Sequence, residues 1–292
     1  DTTDREATRP AATPEESTGD ARVRRRDDGA VLRMSEADAS VIAGGGDDPA
    51  NDVDEGQRMI LNMGPAHPST HGVLRLMLEL EGETVLRSKP VIGYLHTGME
   101  KTGEGLTYLQ GPTNVTRMDY AAPLFCELAY SMAVESLLGI EVPPRATWIR
   151  MLMCELNRVS SHLLFQATNG MDLGAVSMMI FGWREREEVL RFFEMVTGLR
   201  MNHNYIRPGG VAADLPDGWE ADLVRLLEII PPRLDEYEVL LNNQPIFRDR
   251  LQGVGVINTA EALALSATGP ILRATGYDWD LRRDEPYLAY DQ

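Results

Sequence analysis

The sequence predicts an α+β fold in which helix dominates, a small N-terminal antiparallel sheet followed by a long-helix bundle. Two observations carry this. Residues 73–80 read VLRLMLEL, an alternation of period two. From Met118 onward, apolar residues recur at steps of three and four in segments closed by glycine or opened by proline. Strands first and helices afterwards is the α+β order.

Taken in order, residues 1–56 are rich in Asp, Glu, Arg, Ala, Thr and Gly and include Gly44-Gly45-Gly46-Asp47-Asp48. They bury too little apolar surface to offset ordering entropy, so they read as a flexible tail or an extension laid over a neighbour. Residues 57–95 form the N-terminal β region. In its strand Val73–Leu80, Leu74, Leu76, Leu78 and Leu80 share the face expected to be buried, with Arg75 and Glu79 opposite. A Glu81-Gly82 turn and the run Thr84–Lys89 complete a hairpin that Pro90 closes. Residues 96–292 form the helical-bundle domain. Its first helix spans Met118–Leu138 and stops at Gly139. Pro143-Pro144 opens a second, through Trp148, Leu152, Leu156, Val159 and Leu163 to about Gly170. A third runs from about Ala175 to Val196 before Gly198. The fourth runs from Trp219 towards Leu241, and Pro231-Pro232 should break or kink it.

Composition narrows the function. With 28 basic against 45 acidic residues the net charge is -17, which opposes nonspecific binding to nucleic acid or anionic lipid. The 43% hydrophobic content supports a packed core. Cys126 and Cys154 make neither a disulfide framework nor a C-x-x-C pair, which fits a reducing cytoplasm. The apolar run Gly174–Trp183 falls short of the roughly 18 to 20 residues a membrane-spanning helix needs. The polar N-terminal residues contain no apolar h-region, so no secretory signal is expected.

The loop Gly64-Pro65-Ala66-His67-Pro68-Ser69-Thr70-His71-Gly72 concentrates fixed backbone angles and two groups that titrate near neutrality. It reads either as ligand chemistry or as histidines that fix a loop. A metal site is disfavoured because the prolines deny His67 and His71 a helical approach. Further on come Tyr94-Leu95-His96-Thr97-Gly98-Met99-Glu100-Lys101, Thr107-Tyr108-Leu109-Gln110 and Arg117-Met118-Asp119-Tyr120. With Asn204-Tyr205-Ile206-Arg207-Pro208-Gly209-Gly210-Val211 they follow in order along the chain. Together these segments resemble the D subunit of bacterial proton-translocating NADH-quinone oxidoreductase, respiratory complex I, from about Met59 to the C-terminus.

The resemblance implies a fold like the large subunit of nickel-iron hydrogenases. Those enzymes hold metal through cysteine pairs, but here the positions after Arg117 and Met118 are Asp119 and Ala122, so a soft-ligand nickel site is excluded and a hydrogenase is the rejected alternative. The resemblance further implies a quinone-binding subunit with no redox cofactor of its own. Electrons would come from a 4Fe-4S cluster in a neighbouring subunit, with FMN and NADH elsewhere in the complex. The implied partners are the iron-sulfur B subunit, the C subunit, and, at the quinone entrance, the H subunit of the membrane arm. The implied location is peripheral, on the cytoplasmic face of the bacterial plasma membrane.

Residue by residue, the resemblance assigns the quinone head group to His71 and Tyr120, with His67 either touching quinone or supporting its loop. A quinone taking two electrons needs two protons, and an imidazole and a phenol at its carbonyls suit that task. Asp172 matches the carboxylate that pairs with the histidine, and reads also as an N-cap in a loop between helices. Arg117 and Arg207 match arginines near the partner's cluster, against a plain reading as ion pairs with helix carboxylates. Two departures stand out. Thr97 replaces an arginine of mitochondrial members, and Asn202 replaces a histidine, leaving His203 as the titrating neighbour. The family continues beyond Gln292, so the C-terminal part of its fold is expected to be absent here. Arg184-Glu185-Arg186-Glu187-Glu188 reads as solvated pairs or contacts between subunits, His162 as a core or interface residue, and both cysteines as buried thiols. A competing reading makes the chain a scaffold without direct quinone contact.

Overall fold

The computed structural model describes the backbone of residues 22–26 and 29–33 and all of residues 58–292. Strands β1 (Arg22–Arg26) and β2 (Gly29–Arg33) pair antiparallel; otherwise the expected tail lies outside the described residues. The chain divides into two units, one up to His96 and one from Thr97.

In the first unit β3 (Arg58–Met63), β4 (Arg75–Glu81) and β5 (Thr84–Val91) form an antiparallel sheet with β4 central. The β4–β5 hairpin is the expected one. The strand β3 was not anticipated from the sequence, and it turns a hairpin into a sheet. The expected burial of β4 needs correction: the most buried side chains are Met77, Glu79 and Leu80, while Leu76 and Leu78 are half-buried. An irregularity between Glu79 and Leu80 interrupts the alternation, so that two consecutive residues are buried. Glu79 tolerates this beside Arg58, 3.6 Å away.

The second unit opens with short helices α1 (Met99–Glu104) and α2 (Gly111–Val115) and continues with α3 (Pro123–Leu138), α4 (Pro144–Asp172) and α5 (Val176–Thr197). Gly139 and Gly198 end α3 and α5 in the left-handed conformation that L side chains resist. The first long helix thus begins at Pro123, not Met118. Asp119 accepts hydrogen bonds from the amides of Ala121 and Ala122, which bends the chain into a turn that Pro123 then ends.

The short link from α4 to α5 makes them antiparallel neighbours, and they approach closely. A Cβ at Gly182 would lie 2.7 Å from that of Ala167 and 2.9 Å from the Leu163 carbonyl oxygen. Leu124, Leu128, Met153, Cys154, Val189, Phe193, Tyr205, Ile206 and Leu226 form the main core. A second core joins Leu163, Met178, Tyr237, Leu241 and Phe247.

A short ribbon of β6 (Ile206–Arg207) and β7 (Gly210–Val211) follows, then α6 (Trp219–Tyr237), a π-helical turn (Glu238–Asn242), and the short helices α7 (Pro245–Leu251), α8 (Thr259–Ala264), α9 (Gly269–Ala274) and α10 (Leu281–Asp284). The helix α6 runs through Pro231 and Pro232 instead of breaking. Both prolines are exposed, so water can reach the carbonyls left without an amide partner.

The charged run of α5 is a further correction. Glu185 and Arg186 are buried, with Glu185 receiving the Tyr237 hydroxyl and, at 2.5 Å, Arg184. Consecutive positions there face the core because α5 is covered by both α4 and α6. Its half-buried neighbours Glu187 and Glu188 pair with Arg200 and Arg225. His162 is exposed on α4, not in the core, and Cys126 is half-buried where Cys154 is buried.

Candidate functional site

In the first unit the histidine loop is held by neutral hydrogen bonds. Pro68–Thr70 form one 3-10 turn, with His67 as its cap: the His67 Nδ1 accepts the Ser69 amide at 3.1 Å, so that nitrogen carries no proton. The buried Thr70 hydroxyl donates to the carbonyls of Pro65 and His67 at 3.2 and 3.1 Å. Gly64, at φ 87°, has no room for a side chain, since a Cβ would meet the Leu74 carbonyl oxygen at 2.1 Å. His71 closes the turn in the left-handed region, at φ 53°. Both histidines are exposed at the surface of this unit.

In the second unit, Arg117 and Tyr120 share the turn ahead of α3. Tyr120 is 56% exposed while the backbone after it is fixed by Asp119 and by Asn157, whose amide donates to the Ala121 carbonyl at 3.3 Å and whose Oδ1 receives the Leu124 amide at 3.0 Å. Arg117 donates to the Thr113 carbonyl, and Arg207 to the Asn204 carbonyl at 3.0 Å. Neither forms a salt bridge among the described residues, so the alternative reading as ion pairs with helix carboxylates is not met there; both residues are exposed.

Arg117 and Arg207 stand on segments joined by a buried group that the sequence reading passed over. Glu127 is fully buried on α3. Its Oε1 accepts the Thr116 hydroxyl and the Asn204 amide, both at 2.6 Å; its Oε2 accepts the amides of Tyr205 and Ile206 at 2.8 and 2.9 Å. Burial pushes this carboxyl above its ordinary range, against four hydrogen bonds that pull it down. Two turns further along α3, the buried Glu135 receives Arg150 at 2.6 and 3.1 Å and the Gly209 amide at 2.8 Å. Arg150, 1% exposed, also donates to the carbonyls of Arg207 and Gly210. Glu127, Ser131 and Glu135, four residues apart, thus form a buried polar stripe against Asn204–Gly209.

His203 lies in the same segment, 4% exposed and edge-on to Phe193 at 4.9 Å. Its Nε2 faces the Arg200 carbonyl at 3.1 Å, so that nitrogen carries the proton. Burial drives its pKa down to about 4, so it stays neutral between pH 6 and 8. Asn202 and Asn204 flank it in the left-handed region at φ 54° and 50°. Asn202 Oδ1, His203 Nδ1, Asn204 Oδ1 and Arg186 Nε are buried without a hydrogen-bond partner among the described residues. Left-handed backbone and buried polar atoms thus gather in this segment, with Arg186 Nε contributed from α5.

Asp172 is the last residue of α4, not a loop residue, and the cap of α5 is Ala175, which makes no side-chain cap. Chain direction decides this: α4 extends past the predicted stop at Gly170 because Gly170 is buried against Met178 inside the helix pair. Tyr120's turn packs at Asn157, and Asp172 lies roughly 22 Å farther along the α4 axis at the usual rise per residue. Among the described residues no group of three or more His, Cys, Asp or Glu side chains is placed to hold a metal ion. Among them, too, no helix is long and apolar enough to cross a membrane.

Fold and site define a class of α+β protein that presents arginine, tyrosine and histidine side chains from loops held by buried groups. The profile of the family described as respiratory-chain NADH dehydrogenase, 49 Kd subunit, matches residues 172–292. The chain is 55% identical over 266 residues to the D 1 subunit of NADH-quinone oxidoreductase from Salinispora arenicola (strain CNS-205), covering 90% of this chain and 59% of the relative. It is 58% identical over 236 residues to the D subunit of the same enzyme from Acidothermus cellulolyticus (strain ATCC 43068 / DSM 8971 / 11B), covering 80% and 54%. With the D subunit of Mycobacterium sp. (strain KMS) it shares 54% over 260 residues, covering 86% and 58%. The chain belongs to this family of NADH-quinone oxidoreductase D subunits, and it spans less than two thirds of the length of these relatives.

Proposed function

We propose that this chain supplies quinone-facing side chains of a proton-translocating NADH-quinone oxidoreductase. The quinone takes two electrons from a 4Fe-4S cluster of the iron-sulfur B subunit, and two protons at its carbonyl oxygens. Tyr120 donates a hydrogen bond, then a proton, to a quinone carbonyl, and His71 is the second donor that the resemblance assigns. His67 supports the loop through its cap, and its Nε2 edge is left for quinone. Arg117 and Arg207, exposed and outside salt bridges, present positive charge to the cluster, which favours its reduced form. His203 stays neutral near it. The C subunit, with the membrane-arm H subunit, completes the surroundings. FMN and NADH act elsewhere, and the chain sits peripherally on the cytoplasmic face of the plasma membrane.

The observation that carries this reading is Tyr120, an exposed phenol whose following backbone is fixed by Asp119 and Asn157. Orientation of that kind is what a proton donor needs and what an ordinary surface tyrosine lacks. Tyr120→Phe keeps the ring and removes the donor. In the assembled complex it should lower quinone reduction by about 100-fold, with NADH oxidation by artificial acceptors intact. Wild-type quinone turnover in that variant would remove Tyr120 from the site and favour a scaffold.

A further inference from the structure

Glu127 makes four hydrogen bonds from complete burial. Three of its donors are the consecutive amides of Asn204, Tyr205 and Ile206. Consecutive amides converge on one anion only where the backbone is turned into a concave nest, and Asn204 at φ 50° makes that turn. The fourth donor, Thr116, belongs to a different segment, immediately before Arg117. Oε1 is shared between the two, Thr116 Oγ1 and Asn204 N each lying 2.6 Å away. One carboxylate therefore ties the turn bearing Arg117 and Tyr120 to the strand bearing Arg207.

We infer that Glu127 is a positioning residue, whose carboxylate, seated in the Asn204–Ile206 nest and bridged to Thr116, holds Arg117, Tyr120 and Arg207 in one fixed arrangement. This rests on the quinone-site reading above. No other group can replace it simply. A glutamine there turns one acceptor into a donor facing backbone N–H groups, leaving a buried amide without a partner. The bridge differs from a packing contact in being directional: removing the Thr116 hydroxyl frees the turn without disturbing the nest.

The test uses Thr116→Val and Thr116→Ser in the assembled complex, beside Glu127→Gln and Tyr120→Phe. Thr116→Val keeps the shape and deletes the bridge; Thr116→Ser keeps the hydroxyl. Thr116→Val should lower kcat for quinone about tenfold, leave artificial-acceptor activity alone, and speed amide hydrogen exchange in residues 117–121. Thr116→Ser should restore both. Glu127→Gln should in addition speed exchange at residues 204–206. Because Glu127→Gln is the variant at risk of not assembling, the Thr116 pair decides. Unchanged turnover and exchange in Thr116→Val, with Tyr120→Phe impaired, overturns the inference alone. Unchanged turnover in both overturns the inference together with the quinone reading.

Discussion

The Asn202–Gly210 segment and the histidine loop are both short, irregular and rich in left-handed backbone, but they are held in opposite ways. Asn204–Gly210 is gripped by buried charge: Glu127 and Glu135 take four of its amides, and Arg150 takes the carbonyls of Arg207 and Gly210. The histidine loop is held by a threonine hydroxyl, an imidazole nitrogen and its own backbone. Buried charges hold strongly because each loses far more than one hydrogen bond when its partner goes. Neutral bonds hold lightly, and each can fail alone. The first design suits arginines and a tyrosine that must keep a set geometry. The second suits a surface loop held by separate, individually weak bonds.

The largest break should come from Arg150→Met, which fits the space but strands Glu135 in the core. A buried pair cut on one side costs about 3–5 kcal/mol, measurable as a shift in the urea midpoint. A loss near that of a surface substitution would mean the pair does not carry the segment.

Next in size is an acid effect. His203 has a folded pKa of about 4 against an ordinary 6.5. Below 6.5 the unfolded chain takes up a proton that the folded chain refuses, so stability falls as pH drops towards 4 and levels off below it. His203→Gln keeps a donor for the Arg200 carbonyl and cannot titrate. The variant should therefore be spared roughly 3 kcal/mol of acid destabilisation between those limits. Parallel stability curves for the two proteins from pH 7 to 4 would show that the imidazole is hydrated in solution.

In the histidine loop the effects should be smaller. Thr70→Val removes the hydroxyl that the Pro65 and His67 carbonyls share, while both keep a backbone amide donor, and should cost about 1.5 kcal/mol. His67→Ala removes only the cap on the Ser69 amide, about 1 kcal/mol. If His67→Ala proved as damaging as Arg150→Met, the contrast between the two regions would collapse.

Much of this was legible in the sequence. Alternation gave the β4–β5 hairpin, and Gly139 and Gly198 set two helix ends because only a residue without a side chain sits easily in the left-handed conformation. Arg117, Tyr120, His67, His71 and Arg207 are proposed from their motifs. What escaped was the set of buried charged residues behind the helices and the Asn204–Gly210 segment. Glu127, Glu135, Arg150, Glu185 and Arg186 look like ordinary solvated helix residues in a linear reading, since charge on a helix normally faces water. Whether it does depends on partners far away in the chain: the amides that Glu127 binds lie 77 to 79 residues on. Local pattern determined which elements form and in what order; only tertiary packing decided which charges are buried, because a charge can leave water only where folding has already brought donors to meet it.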